Sequence, residues 1–237
     1  MTLAIMQPYF FPYLGYWQLI NAVDTFVIYD NIQFSKKGWF HRNNFLMNGK
    51  KTLFTIPLKK DSDNLDVIDR FLSDDSKKQI NKIVAQMKNN YKKAPYYSDV
   101  FPLIEAIFMN QEKNLFYYIS HSMEMICDYL DIDTKIVKSS TINIDHNLRS
   151  QDKVIAINKS LNSTKYINPI GGTELYDIES FNKENIELKF LESEVPKYRQ
   201  FNDEFIPYLS IIDVMMFNSK EEVKNMLEKY KLLEGSK

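Results

Sequence analysis

The sequence predicts an α/β fold with a mainly parallel sheet and a helical block packed beside it or inserted in it. Three observations carry that expectation. Two strand-like runs flank a helical stretch within the first about 30 residues, as in a βαβ crossover. Residues 76–130 show helical periodicity alone, and strand and helix alternation resumes after residue 135.

Residues 3–6 form a short apolar run stopped at Gln7-Pro8, the pattern of a buried parallel strand entering a loop. Gly15 opens a helix in which Tyr16, Leu19, Ile20 and Val23 recur at spacings of three and four, and residues 25–29 are a second β-branched and aromatic strand. In a right-handed crossover the first loop and the helix N-terminus lie at the carboxyl edge of the sheet, where ligands of open α/β sheets bind. Residues 38–45 and 53–57 around Asn48-Gly49 read as a β-hairpin, followed by a polar loop over 59–66.

Helices are expected over 76–91, 95–109 and 114–130, the last with an apolar stripe of Leu115, Ile119, Met123, Ile126 and Leu130. Then come a strand at 135–138, a helix at 150–161, a strand at 165–168 ending in Pro169-Ile-Gly171-Gly172, a short helix, and a strand at 186–191. Helices over 208–217 and 219–230 close the chain, the second opening on a capping box of Ser219 and Glu222. With no internal repeat and no low-complexity linker, residues 1–237 read as one domain with the 76–130 helices inside it.

Composition narrows the function classes. The chain is 44% hydrophobic and 14% aromatic, which is globular and aromatic-rich. Thirty basic residues against 31 acidic ones leave a net charge of -1, so no overall field draws it to duplex nucleic acid or an anionic membrane. A lone Cys127 allows neither an intramolecular disulfide nor a thiolate zinc site and suits a reducing compartment. The first residues lack a basic segment and reach Pro8 early, and no apolar run approaches the ~20 residues of a membrane span, so a soluble, cytoplasmic protein is expected.

The first candidate site is the loop and helix start carrying Gln7, Pro8, Tyr13, Gly15 and Tyr16, where free N–H groups suit a phosphate; the alternative is an aromatic core edge with a tight glycine turn. The hairpin segment adds Trp39, His41, Arg42, Asn43 and Asn44. Arg42 could pair with a diphosphate, Asn43 could bond a base or sugar edge, and His41 or Asp30 could serve as a general base; an exposed hairpin is the alternative. Lys153, Asn168 and Gly171 suggest a second anion cradle at the same edge, though a plain αβ turn explains the glycines as well. Asp145-His146 reads as a solvated loop, His121 as a surface residue, Cys127 as core, and Ser210 with Asp213 as a local cap. The three histidines have no metal-ligand spacing.

Tyr13-Leu-Gly15-Tyr16 stands where the nucleotidyltransferase superfamily of pantothenate synthetase has a His-x-Gly-His motif, and the layout resembles that superfamily with both histidines missing. Tyrosine carries no positive charge near pH 7, so nucleotide binding survives that change better than nucleotide activation. Ala4-Ile-Met-Gln-Pro8-Tyr-Phe-Phe-Pro12-Tyr-Leu-Gly-Tyr16, Gly38-Trp39 with Arg42-Asn43, and Leu209-Ser-Ile-Ile-Asp213 with Phe217-Asn218 resemble the WbqC-like family, over residues 1 to about 227. The chain differs from that family's pattern at Asn168-Pro-Ile-Gly171-Gly172, where a Ser-Gly-rich turn is expected, and at His41, where Asn is common.

The resemblance implies a Rossmann-like, nucleotidyltransferase-like sheet and work on nucleotide-linked sugars in surface-polysaccharide (O-antigen) assembly. The leading expectation is N-acylation of a nucleotide-linked amino sugar by a small acyl or aminoacyl donor. Its alternatives are an ATP-dependent ligase or nucleotidyltransferase working through an adenylate, and a non-catalytic sugar-nucleotide-binding module. No cofactor beyond an acyl donor or ATP is implied, and association into a homo-oligomer stays open.

Overall fold

The computed structural model describes residues 1–62, 64–202 and 204–234. Asp63, in the expected polar loop, and residues 235–237, within the expected domain, lie outside the described residues. In chain order the elements are β1 (Thr2–Met6), α1 (Leu14–Asn21), β2 (Thr25–Ile28), β3 (Arg42–Met47), β4 (Lys50–Thr55), α2 (Ser76–Tyr91), α3 (Tyr97–Phe108) and α4 (Leu115–Leu130). They continue with β5 (Lys135–Lys138), α5 (Ser150–Ser160), β6 (Lys165–Pro169), α6 (Ile178–Lys183), β7 (Glu187–Ser193), α7 (Ile211–Phe217), α8 (Lys220–Leu227) and β8 (Tyr230–Glu234).

The main sheet has the order β5-β2-β1-β6-β7-β8, and every pairing but the last is parallel. This Rossmann-like order reverses direction between β1 and β6, so a topological switch point opens at their carboxyl ends. Side chains alternate across the strands. Leu3, Ile5, Val27, Tyr166, Leu188 and Phe190 face one core with α5 and α6, while Ala4, Phe26, Ile28, Ile167 and Leu191 face the other. The second core holds α1, the hairpin and the expected helical block, which enters the chain between β2 and β5. The apolar stripe of α4 is buried along its whole length. The hairpin turns through Asn48 (φ 51°) and Gly49 (φ 71°), the paired left-handed geometry that favours Asn-Gly.

Two expectations at the end of the chain are corrected. The helix expected over 208–217 begins only at Ile211, because Tyr208 takes a left-handed φ of 57° and the Ser210 hydroxyl accepts from the Ile212 N–H as the cap. The last helix stops at Leu227, and Tyr230–Glu234 is instead an antiparallel edge strand on β7. That pairing closes a ladder from Lys189↔Glu234 to Ser193↔Tyr230, and Lys189 adds ion pairs to Glu187 at 3.1 Å and to Glu234. The capping box of Ser219 and Glu222 forms as expected. Among the described residues, no helix is long and apolar enough to cross a membrane.

Candidate functional site at the carboxyl edge of the sheet

The carboxyl ends of β2 and β5 are tied by a buried polar knot. Asp30, 1% exposed, accepts at Oδ1 from the Ser139 hydroxyl (2.7 Å) and the Ser140 N–H (2.8 Å). The same hydroxyl lies 2.6 Å from Asn31 Oδ1. His146 Nε2 lies 3.0 Å from the Ile142 carbonyl and must donate to it, which leaves Nδ1 to accept from Asn31 Nδ2 at 3.0 Å. The Asp145-His146 segment is a loop with Asp145 exposed, as expected, but His146 is half-buried and fixes the Asn31 side chain in orientation.

Asn31 lines a cavity of about 400 Å³ together with Tyr29, Gln33, Arg149, Lys153 and Tyr176. The cavity also meets apolar Ile32, Leu148, Val154 and Leu175, so rings and cations share one wall. Lys153 comes from the first turn of α5 and is 7% exposed. Its Nζ lies 5.4 Å from the Tyr29 ring centroid, and among the described residues it makes neither a hydrogen bond nor an ion pair. Burial and the Arg149 guanidinium hold its ammonium below the usual lysine range, against the pull of Asp66 and Asp30. Arg149 is the N-cap of α5, and no side chain caps that helix. Asp66 is close enough to Lys153 and Arg149 for their charges to act on its carboxyl, which burial and Asp69 nonetheless push up. Burial also pushes up the Tyr29 phenol.

A larger, more open depression of about 890 Å³ lies on the far side of Leu175 and Tyr176. Among the described residues it is lined by the acidic Glu174, Asp177 and Glu179 and by no cation, which disfavours anions there.

The residues singled out around α1 are engaged in packing. The Tyr16 hydroxyl donates to the Gln7 carbonyl at 2.8 Å from a buried ring, and Pro8 is buried. Tyr13 forms an antiparallel bridge with Ser210. A Cβ on Gly15 would stand 2.6 Å from the Tyr13 ring and 2.8 Å from Ser193 Oγ, so its close approach is to β7 and not to a ligand. Asn43, expected to bond a base or sugar, donates instead to the carbonyls of Phe10 (3.3 Å) and Phe11 while its Oδ1 accepts from the Asn44 N–H. Phe11 sits at φ 48°, where a bulky residue costs about 1–2 kcal/mol. Asn43 and the Ser210 hydroxyl, 2.9 Å from the Phe11 carbonyl, offset that strain.

Arg42 donates to the Lys37 carbonyl and stacks its guanidinium 5.3 Å from the Trp39 ring, which is 40% exposed and packs on Tyr9. His41 lies against Phe34, with Nδ1 buried and unpartnered among the described residues. Burial, Arg42 and Arg70 depress its pKa to about 4, so the expected base with a pKa near the working pH is not what the structure places here. Asn168 accepts from Tyr166 and packs against Gly172, whereas Gly171 is open to solvent. The structure thus brings Lys153 and Asp30 into one neighbourhood and leaves the Arg42 group as a separate aromatic and cationic surface on the hairpin.

The model of a family described as the WbqC-like protein family matches residues 7–225. The chain belongs to the WbqC-like family. It is also similar to the uncharacterized protein Rv1507c of Mycobacterium tuberculosis (strain ATCC 25618 / H37Rv), at 24% identity over 226 residues, covering 94% of this chain and 96% of that one. No solved structure matches.

Of the residues that line the cavity of this WbqC-like protein, Lys153 alone was among the sequence candidates, and Tyr29, Asn31, Arg149 and Tyr176 are the consequential ones missed. One signal for Arg149 was present, because it precedes a helix start and stands four residues before Lys153. Tyr29 had one too, as the last residue of an expected strand at the carboxyl edge. Asn31 and Tyr176 depend on contacts between loops and carry no such signal.

Proposed function

We propose that this protein transfers an acyl or aminoacyl unit to the amino group of a nucleotide-linked sugar held at the carboxyl edge of the sheet. The observation that carries the proposal is the cavity of about 400 Å³ beside the switch point, where Arg149 and Lys153 meet the rings of Tyr29 and Tyr176. A sugar nucleotide needs that combination, cations for its phosphates and apolar or aromatic faces for its rings. Membership in a family that resemblance ties to surface-polysaccharide assembly supports the same substrate class.

In the transfer, the sugar amine attacks the acyl carbonyl, a C–N bond forms, and the donor's leaving group departs with its bonding pair. The nitrogen then gives up one proton. Asp66 is the proposed acceptor, because it stands close enough to the cavity residues Lys153 and Arg149 for their charges to act on its carboxyl, which burial and Asp69 push up from its usual range. His41, at about 4, is the weaker candidate, and Asp30 has its Oδ1 committed to Ser139 and Ser140. In this reading the donor arrives already activated, because the Tyr13 to Tyr16 loop has no cation where the nucleotidyltransferase superfamily that its layout resembles has two histidines.

Mass spectrometry of 3-amino and 4-amino sugar nucleotides incubated with the protein and activated acyl donors tests this. The expected result is a gain of one acyl mass without ATP, reduced about 10²–10⁴-fold in Asp66→Asn. Gain only with ATP would replace transfer by ligation, and no gain with any donor would leave a sugar-nucleotide-binding module.

A further inference from the structure

We propose that the phosphate groups of the ligand dock at the N-terminus of α5, held by Lys153 and Arg149, and not at the N-terminus of α1; this rests on the substrate class proposed above. The two helix starts face the same edge of the sheet and differ in what covers them. At α1, Leu14 is 2% exposed, the space beside Gly15 is filled by the Tyr13 ring and Ser193, and the Ile211 N–H bonds the Pro12 carbonyl across the entrance. No phosphate fits between those groups.

At α5 the entrance is open. Arg149 and Ser150 are exposed, no side chain caps the first turn, and the cavity reaches Ser150, Gln151 and Lys153. An 11-residue helix supplies N–H groups and the positive end of its dipole there. The independent observation is Lys153, a cation more than nine-tenths buried, lining the cavity with no hydrogen bond or ion pair among the described residues. Asp66 and Asp30 act on its charge from a distance, so its ammonium, set over the Tyr29 ring on the cavity wall, keeps all three N–H donors for an anion in the cavity.

Two groups set the ligand class further. Tyr29 and Tyr176 stand beside the cations with their rings on the cavity wall. Asp30 and Asp66, whose charges act on Lys153, oppose any anion on their own side of it, which leaves the α5 start as the place for one. A phosphate or diphosphate ester with a ring attached fits both conditions, the anion at the helix start and the ring against tyrosine.

Calorimetric titration with inorganic pyrophosphate tests the site without any sugar or donor. Wild-type protein should bind it, Lys153→Met and Arg149→Ala should each weaken binding about tenfold or more, and Arg42→Ala should stay within about twofold. Lys153→Arg, which keeps the cation, should retain most of the affinity, and an unchanged circular dichroism spectrum of Lys153→Met shows that its loss is not misfolding. Unchanged binding in both Lys153→Met and Arg149→Ala, or no binding by wild-type protein at millimolar pyrophosphate, would overturn the site. Lys153-dependent binding without acyl transfer would overturn the proposed reaction alone, and acyl transfer with Lys153-independent binding would overturn the phosphate site alone.

Discussion

Replacing Asp213 by alanine is expected to lower the unfolding free energy by about 3 kcal/mol. Asp213 lies on α7 and is fully buried, and its carboxylate accepts from Tyr91 (2.8 Å), Tyr198 (2.7 Å) and Gln200 (2.7 Å). These donors come from the end of α2 and from the segment between β7 and α7, so one side chain ties three parts of the chain. Alanine leaves two phenols and an amide facing a cavity, at about 1–3 kcal/mol for each group left unpaired. Recovering the desolvation that pushes the Asp213 carboxyl up offsets part of the sum. Urea denaturation measures the change, and a loss under about 1 kcal/mol would mean the carboxylate does not anchor these elements.

The second large effect is in acid. Wild-type protein should lose about 2 kcal/mol of stability between pH 6.5 and pH 4 that His41→Phe does not lose. His41 titrates near 4 in the folded chain and at 6.5 when free, so between those values the unfolded chain binds a proton that the folded chain does not. The stabilisation is complete above 6.5 and disappears as the pH falls through that window. The full shift corresponds to about 3 kcal/mol, reduced here because the ring is only partly buried. Phenylalanine keeps the ring against Phe34 and removes the buried, unpartnered Nδ1. The measurement is the difference in unfolding free energy between the two proteins at pH 7 and pH 4. A difference that does not change with pH would place His41 in water and not behind the hairpin.

Most of the sheet was legible because its strands carry local signals. The apolar run before Gln7-Pro8, the β-branched run at 25–28 and the stripe of α4 each state their burial within a few residues. Tyr230-Lys-Leu-Leu-Glu234 states the opposite: Leu, Lys and Glu favour helix, and only the ladder to β7 makes the segment a strand. The carboxyl edge was also legible, since the βαβ order alone points to it. Which helix start remains open there was not. The loop before α1 is held by Ser210, 199 positions from Phe11, and Gly15 is covered by Ser193, contacts that no local pattern encodes. For the same reason His41 and Asn43 looked available in a polar hairpin motif, while the fold buries one ring nitrogen beside two guanidinium groups and spends the other side chain on a left-handed Phe11.

The most direct test is a crystal structure with a nucleoside diphosphate bound. The expected result places the phosphates within hydrogen-bonding distance of Lys153 Nζ and the first N–H groups of α5, with a ring of the ligand against Tyr29 or Tyr176. Phosphates seated beside Arg42 and the loop from Pro8 to Tyr16, with the α5 cavity empty, would contradict the account.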